Sequence, residues 1–167
     1  KLCRQAKETG YFDKCINLSE DYLKSDSIFW NKHSQFIKNN KIGYGYWLWK
    51  PYIINRIMKE INDGDILLYL DAGCEIGINS HNLPKYFNFV KKDKIITSYG
   101  LCPLGIKISN NCLYCKNICF TKKDVISYFN LENDNEWLNG KFVECGAVMF
   151  SICGKTRKFV NEWYEVC

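Results

Sequence analysis

Asp65-Ile66-Leu67-Leu68-Tyr69-Leu70-Asp71-Ala72-Gly73-Cys74-Glu75 leaves a turn, runs through five apolar residues and ends in a carboxylate, a glycine turn and a second carboxylate. A run with no polar interruption predicts a strand covered on both faces, as in a parallel sheet, rather than one face of an amphipathic sheet. Ligands of open α/β folds bind at the carboxyl ends of such strands. Asp71 and Glu75 are therefore the first candidates to hold a hard divalent cation, Mn²⁺ or Mg²⁺, which in turn could hold a phosphate.

Upstream, Ile53, Ile54, Ile57, Met58 and Ile61 recur at helical spacing behind Pro51, a residue suited to a helix start. Asn62-Asp63-Gly64-Asp65 ends that helix and turns the chain into the strand. Helix followed so closely by strand predicts α/β alternation with parallel strands. Residues 1–9 read as a short helix stopped by Gly10, 13–18 as a strand, and 32–38 as a polar helix. Downstream, 77–82 reads as loop, 83–89 as a short helix and 94–99 as a strand, with an irregular, cysteine-rich stretch over 100–120. Thr121-Lys122-Lys123-Asp124 resembles a capping box opening a helix with Val125, Ile126, Tyr128 and Phe129. A polar, turn-rich stretch over 130–139 precedes a strand over 142–150, interrupted by Gly146, and an amphipathic helix over 156–166.

With 167 residues the chain is expected to form one domain over 1–167, which can be a fragment of a longer protein. No apolar stretch approaches the length of a membrane span, and Lys1-Leu2-Cys3-Arg4-Gln5 lacks the apolar core of a signal peptide. The 23 basic and 18 acidic residues give a net charge of +5, which favours anionic small ligands. No strongly basic tract points to nucleic acid. Ten cysteines admit disulfides, a metal site or reduced thiols. Cys112, Cys115 and Cys119 form CxxCxxxC, and Cys102 could complete a structural zinc site. The remaining cysteines lie in or beside apolar segments, so reduced thiols in a cytoplasmic protein are the default expectation.

Beyond Asp71 and Glu75, Lys50 and Arg56 could face the same diphosphate, where positive charge stabilises a departing phosphate. Glu144, ahead of Gly146 on a late strand, could deprotonate an acceptor hydroxyl or bind sugar hydroxyls. Asp134 and Glu136 are further acceptor-side candidates. Tyr46, Trp47 and Trp49 could present flat faces to a sugar or base, with core packing as the alternative. His33 and His81 read as surface residues. Neither GxxxxGK[ST] nor GxGxxG occurs.

The segments Gly43-Tyr44-Gly45-Tyr46-Trp47-Leu48-Trp49-Lys50-Pro51-Tyr52-Ile53-Ile54 and Asp63 to Glu75, joined by Thr121-Lys122-Lys123-Asp124, Phe142-Val143-Glu144-Cys145-Gly146-Ala147-Val148-Met149-Phe150 and Phe159-Val160-Asn161-Glu162-Trp163, resemble a family of glycosyltransferase-like proteins of bacteria and large DNA viruses. That resemblance implies a Rossmann-like GT-A three-layer sandwich with a mostly parallel sheet, lacking its first strand in this chain. It implies glycosyl transfer from a nucleoside-diphosphate sugar, UDP-linked, to a glycan or glycoconjugate hydroxyl. Asp71 matches the first Asp of the DxD metal motif, with Ala72 and Gly73 completing the nucleotide-side turn and Trp49, Lys50 and Arg56 near the donor. Gly73 replaces the second Asp, which leaves open how a cation would be held. The alternatives are a non-catalytic nucleotide-sugar or carbohydrate-binding module and a structural zinc protein.

Overall fold

Ile66–Leu70 forms a strand, β1, but among the described residues the strand it pairs with runs the opposite way. The computed structural model describes residues 1–99 and 116–167, so Cys102, Cys112 and Cys115 fall outside the described residues. With β2 (Ile95–Tyr99) and β3 (Val143–Ser151), β1 makes a three-stranded sheet of order β1-β3-β2 in which both flanking strands are antiparallel to β3. Met149 sits at the centre, opposite Leu68 on one side and Ile96 on the other. The mostly parallel Rossmann-like GT-A sandwich expected above is thus not the fold.

Continuous apolarity in β1 has another cause. Helix α5 (Trp49–Lys59) and helix α10 (Gly154–Glu165) pack on each other, and Ile53, Ile54, Met58 and Val160 share one buried cluster with Val148, Phe150 and Ile152. Helix α6 (Leu83–Asp93) packs on all three strands, and its buried Val90 lies outside that cluster, so both faces of the sheet carry helix. An apolar run reports two covered faces and says nothing about strand direction. Among the described residues β1 is also an edge strand, half-buried along its length, whereas β3 is central and buried from Val148 to Ser151. In this register the odd residues, Asp71 included, bond to β3, so Ile66, Leu68 and Leu70 turn their backbone groups away from β3.

The remaining helices run from 4 to 13 residues. Helix α1 (Leu2–Thr9) stops at Gly10, which takes the left-handed φ of 70° that such caps favour. Helices α2 (Glu20–Ser25) and α3 (Ser27–Asn39) follow; the strand expected over 13–18 is absent, and that stretch instead lines a groove beside β1. A single turn, α4 (Gly43–Tyr46), precedes α5. Helices α7 (Asn117–Phe120), α8 (Lys123–Tyr128) and α9 (Asn135–Asn139) precede β3. Thr121 does not cap α8, whose N-cap is Lys122 without a side-chain bond; Asp134 does cap α9, accepting from the Trp137 N–H. No helix among the described residues is long and apolar enough to cross a membrane.

Candidate functional site

Lys50 opens the site because it occupies the wrong face of its helix for a lysine. It lies three, four, seven and eight residues before Ile53, Ile54, Ile57 and Met58, on the stripe that α5 buries against the sheet. The residue is buried, and its side chain is only 8% exposed. A buried ammonium needs a partner. Its Nζ donates to Asp71 Oδ2 at 2.7 Å and to the Cys145 carbonyl at 3.4 Å, and lies 5.7 Å from the centre of the Tyr69 ring.

Asp71 stands one residue past β1, its backbone N–H donating to the Gly146 carbonyl at 2.8 Å. Tyr69, two residues earlier on the same face of the strand, donates its hydroxyl to Asp71 Oδ1 at 2.6 Å. Both carboxylate oxygens thus have internal donors, yet the Asp71 side chain keeps 34% exposure and stays open to a ligand. Burial, then the bond to Asp71, pushes the Tyr69 hydroxyl well above its usual range, so it stays a donor. Burial also raises the Cys145 thiol, with nearby Lys50 acting the other way. The turn that follows is closed by the Cys74 N–H to the Asp71 carbonyl at 2.9 Å and by the Cys74 thiol to the Gly146 carbonyl at 3.3 Å. Ala72 and Gly73 lie exposed in it, and a Cβ on Gly73 would meet nothing within 4 Å.

The other candidates are dispersed. Glu75 is exposed and accepts from Lys1 at 2.9 Å and from Gln5 at 3.2 Å, partners that hold its carboxyl below the usual range. Arg56 joins Asp26 Oδ2 at 2.5 Å and lies 4.9 Å from the Tyr22 ring, away from Lys50's partners. Trp49 is half-buried, donates its indole N–H to the Gly43 carbonyl at 3.0 Å and forms part of the groove wall. Glu144 is exposed near the start of β3, its backbone carbonyl accepting from the Thr97 hydroxyl. Asp134 caps α9, and Glu136 is exposed in that helix's first turn. His33 is not a surface residue: it is half-buried on Phe29, and Nε2 bonds the Tyr164 hydroxyl at 2.8 Å. Burial lowers its pKa.

A cation shared by Asp71 and Glu75 does not fit this arrangement, because Asp71 is satisfied by Lys50 and Tyr69 while Glu75 turns to Lys1 and Gln5. No group of three or more His, Cys, Asp or Glu side chains placed to hold a metal occurs among the described residues. Of the four cysteines considered for zinc, Cys119 is described, exposed on α7. Cys74 and Cys145, at the site, are free thiols.

Beside the corner, an apolar groove of about 310 Å³ runs along β1, walled by Leu2 and Ala6 of α1, Phe12 and Leu18, and Trp49 and Ile53 of α5, and reaching Ala72. Sequence reasoning missed Tyr69 and Gly146, although the period of two along β1 puts Tyr69 on the side of Asp71. Compared with models of known protein families, with curated proteins and with solved structures, the chain matches none.

Proposed function

We propose that the chain transfers a glycosyl group from a nucleoside-diphosphate sugar, UDP-linked, to a hydroxyl of a glycan or glycoconjugate acceptor, and does so in the cytoplasm. The observation that carries this proposal is the Lys50–Asp71 pair at the end of β1, a buried cation held at 2.7 Å by a carboxylate that solvent still reaches. Departure of a nucleoside diphosphate develops negative charge on phosphate oxygens. A fixed ammonium in a poorly solvated corner stabilises that charge more in the transition state than in the ground state. Asp71 orients Lys50 and accepts hydrogen bonds from sugar or ribose hydroxyls, the Tyr69 hydroxyl fixing its second oxygen. The adjoining groove offers apolar walls to the base, with Trp49 and Ala72 among its lining residues. On the acceptor side Glu144, exposed, is the base to test. No step is routed through a metal ion.

Incubation with UDP- and GDP-sugars, followed by NMR with and without Mn²⁺ or Mg²⁺, tests this. Consumption of a donor with release of nucleoside diphosphate supports transfer; absence of both binding and turnover for every donor contradicts it. One observation favours a second reading, a non-catalytic nucleotide-sugar-binding module: both Asp71 oxygens already have donors inside the protein. Nucleotide binding unchanged by EDTA, with no sugar consumed, would select it.

A further inference from the structure

Gly43 to Trp47 is wound against the handedness of L-amino acids. Five consecutive residues have positive φ: Gly43 57°, Tyr44 53°, Gly45 83°, Tyr46 51° and Trp47 60°. The Tyr46 N–H donates to the Ile42 carbonyl at 2.8 Å and the Trp47 N–H to the Gly43 carbonyl at 2.9 Å, closing a left-handed turn. Glycine adopts this conformation freely, but Tyr44, Tyr46 and Trp47 are strained in it, and such residues normally visit it singly. Strain of this kind persists only where the surroundings over-determine it.

The surroundings hold the glycines and Tyr44 closely. Gly45 is buried where a Cβ would lie 2.8 Å from Ile37, the Tyr44 hydroxyl donates to Glu20 at 2.6 Å, and the Trp49 indole N–H donates to the Gly43 carbonyl at 3.0 Å. Beyond these contacts Tyr46 and Trp47 stay 39% and 48% exposed, the Tyr46 ring lying 6.3 Å from that of Phe36, centre to centre. A Cβ on Gly43 would lie 2.4 to 2.7 Å from Cδ2, Cε2 and Cε3 of Trp47, so the indole rests on the glycine backbone. One part of the aromatic surface is thereby fixed against the chain while the rest faces solvent. Lys122 Nζ stands 4.7 Å from the centre of the Tyr46 ring, placing a cation beside the platform. Core packing accounts for Gly45 and Tyr44. It does not account for two adjacent aromatics held outward at a cost in backbone strain.

We propose that the exposed Trp47 indole is a stacking platform for one pyranose ring of a carbohydrate, with the Tyr46 hydroxyl and Lys122 beside it to meet the sugar's hydroxyls. A pyranose lays its C–H face on an indole and keeps its hydroxyls in water, which suits an open platform. A nucleobase, polar only at its rim, is better matched by the walled groove along β1. The Lys50 backbone N–H donates to the Trp47 carbonyl at 3.0 Å, so the platform and the Lys50–Asp71 corner are linked within one turn of chain. The placement gives nearness to the corner, and the ring's role as a site for the acceptor rests on the proposed transfer. Carbohydrate binding itself is measured separately from turnover.

The test uses the full chain, maltohexaose and chitohexaose as probes, UDP as control, and NMR of the indole N–H signals. Trp47→Phe identifies the Trp47 signal. Saturable shifts of that signal by at least one oligosaccharide are expected. Affinity should fall on the order of tenfold in Trp47→Ala, with partial recovery in Trp47→Phe and unchanged UDP binding in both. Neither oligosaccharide shifting the signal, undiminished affinity in Trp47→Ala, or UDP alone shifting it would overturn the platform. Donor consumption without oligosaccharide binding would sink the platform and spare the transfer, and binding without consumption would do the reverse.

Discussion

Asp26 and Asp71 sit in nearly the same company and do different work. Each accepts from a tyrosine hydroxyl and from a cation, Tyr52 and Arg56 at Asp26, Tyr69 and Lys50 at Asp71. Asp26 also caps α3, its Oδ1 accepting from the Ile28 and Phe29 N–H groups at 3.1 Å each, and its side chain is only 14% exposed. Asp71 accepts from no backbone N–H in its turn, ties a buried lysine to a strand end, and remains 34% exposed. The first constellation closes a helix and has no capacity left over; the second leaves a charged pair at a solvent-accessible edge. A carboxylate flanked by a cation and a tyrosine is thus ambiguous until its backbone donors and exposure are known.

The comparison breaks most visibly if Asp26 is removed. Asp26→Ala loses a helix cap and orphans Tyr52 and Arg56, so the unfolding free energy in urea should drop by about 2–3 kcal/mol, with turnover per folded molecule unchanged. Asp71→Asn keeps shape and one acceptor. Because it also strips the buried Lys50 ammonium of its counter-charge, its unfolding free energy should fall by about 2–3 kcal/mol as well, but here turnover per folded molecule drops too, at least about tenfold, roughly 1.4 kcal/mol of transition-state stabilisation. Turnover per folded molecule unaffected in both variants would erase the distinction.

The same contrast appears in pH. The Tyr52 bond, the Phe29 N–H and Arg56 hold Asp26 below the usual carboxylate range. A carboxyl with a depressed folded pKa stabilises above its unfolded value, about 3.9, and that contribution disappears as pH falls through the folded value. Tyr52, pushed up to about 12 by burial and then by Asp26, behaves oppositely. Its contribution is complete below about pH 10 and is lost as pH rises toward the folded value. Urea melts of the wild type should therefore lose stability at both extremes, and Asp26→Asn should flatten the acid limb. The smallest effect belongs to Glu75→Gln: with only exposed partners at Lys1 and Gln5, it should change neither the melt nor any response to Mn²⁺.

Much of the local structure was legible in the chain. The stripe from Ile53 to Met58, the stop at Gly10 and the runs that became β1, β2 and β3 follow from period and turn chemistry. Strand direction did not, because helices on both faces make an edge strand paired antiparallel read like a central parallel one. Helix α9 is short and polar, and its Asp134 cap outweighs any apolar period, so it passed for a turn-rich stretch. Lys50 and Asp71 were both singled out from sequence. Their union could have been anticipated from Lys50's place on the buried stripe. Arg56 and Glu75 were grouped with them by proximity in sequence, but Arg56 points to Asp26 and Glu75 to Lys1, and spacing alone does not reveal such choices.

Calorimetric titration of UDP into wild type and Lys50→Met tests the central claim most directly. Methionine fills the buried stripe without the charge, and the freed Asp71 remains solvated, so the variant should fold. The Lys50–Asp71 corner predicts UDP affinity weaker by about tenfold or more, since one charge-assisted contact to phosphate is removed. A folded Lys50→Met protein that binds UDP as tightly as wild type would contradict the assignment of this corner to the diphosphate.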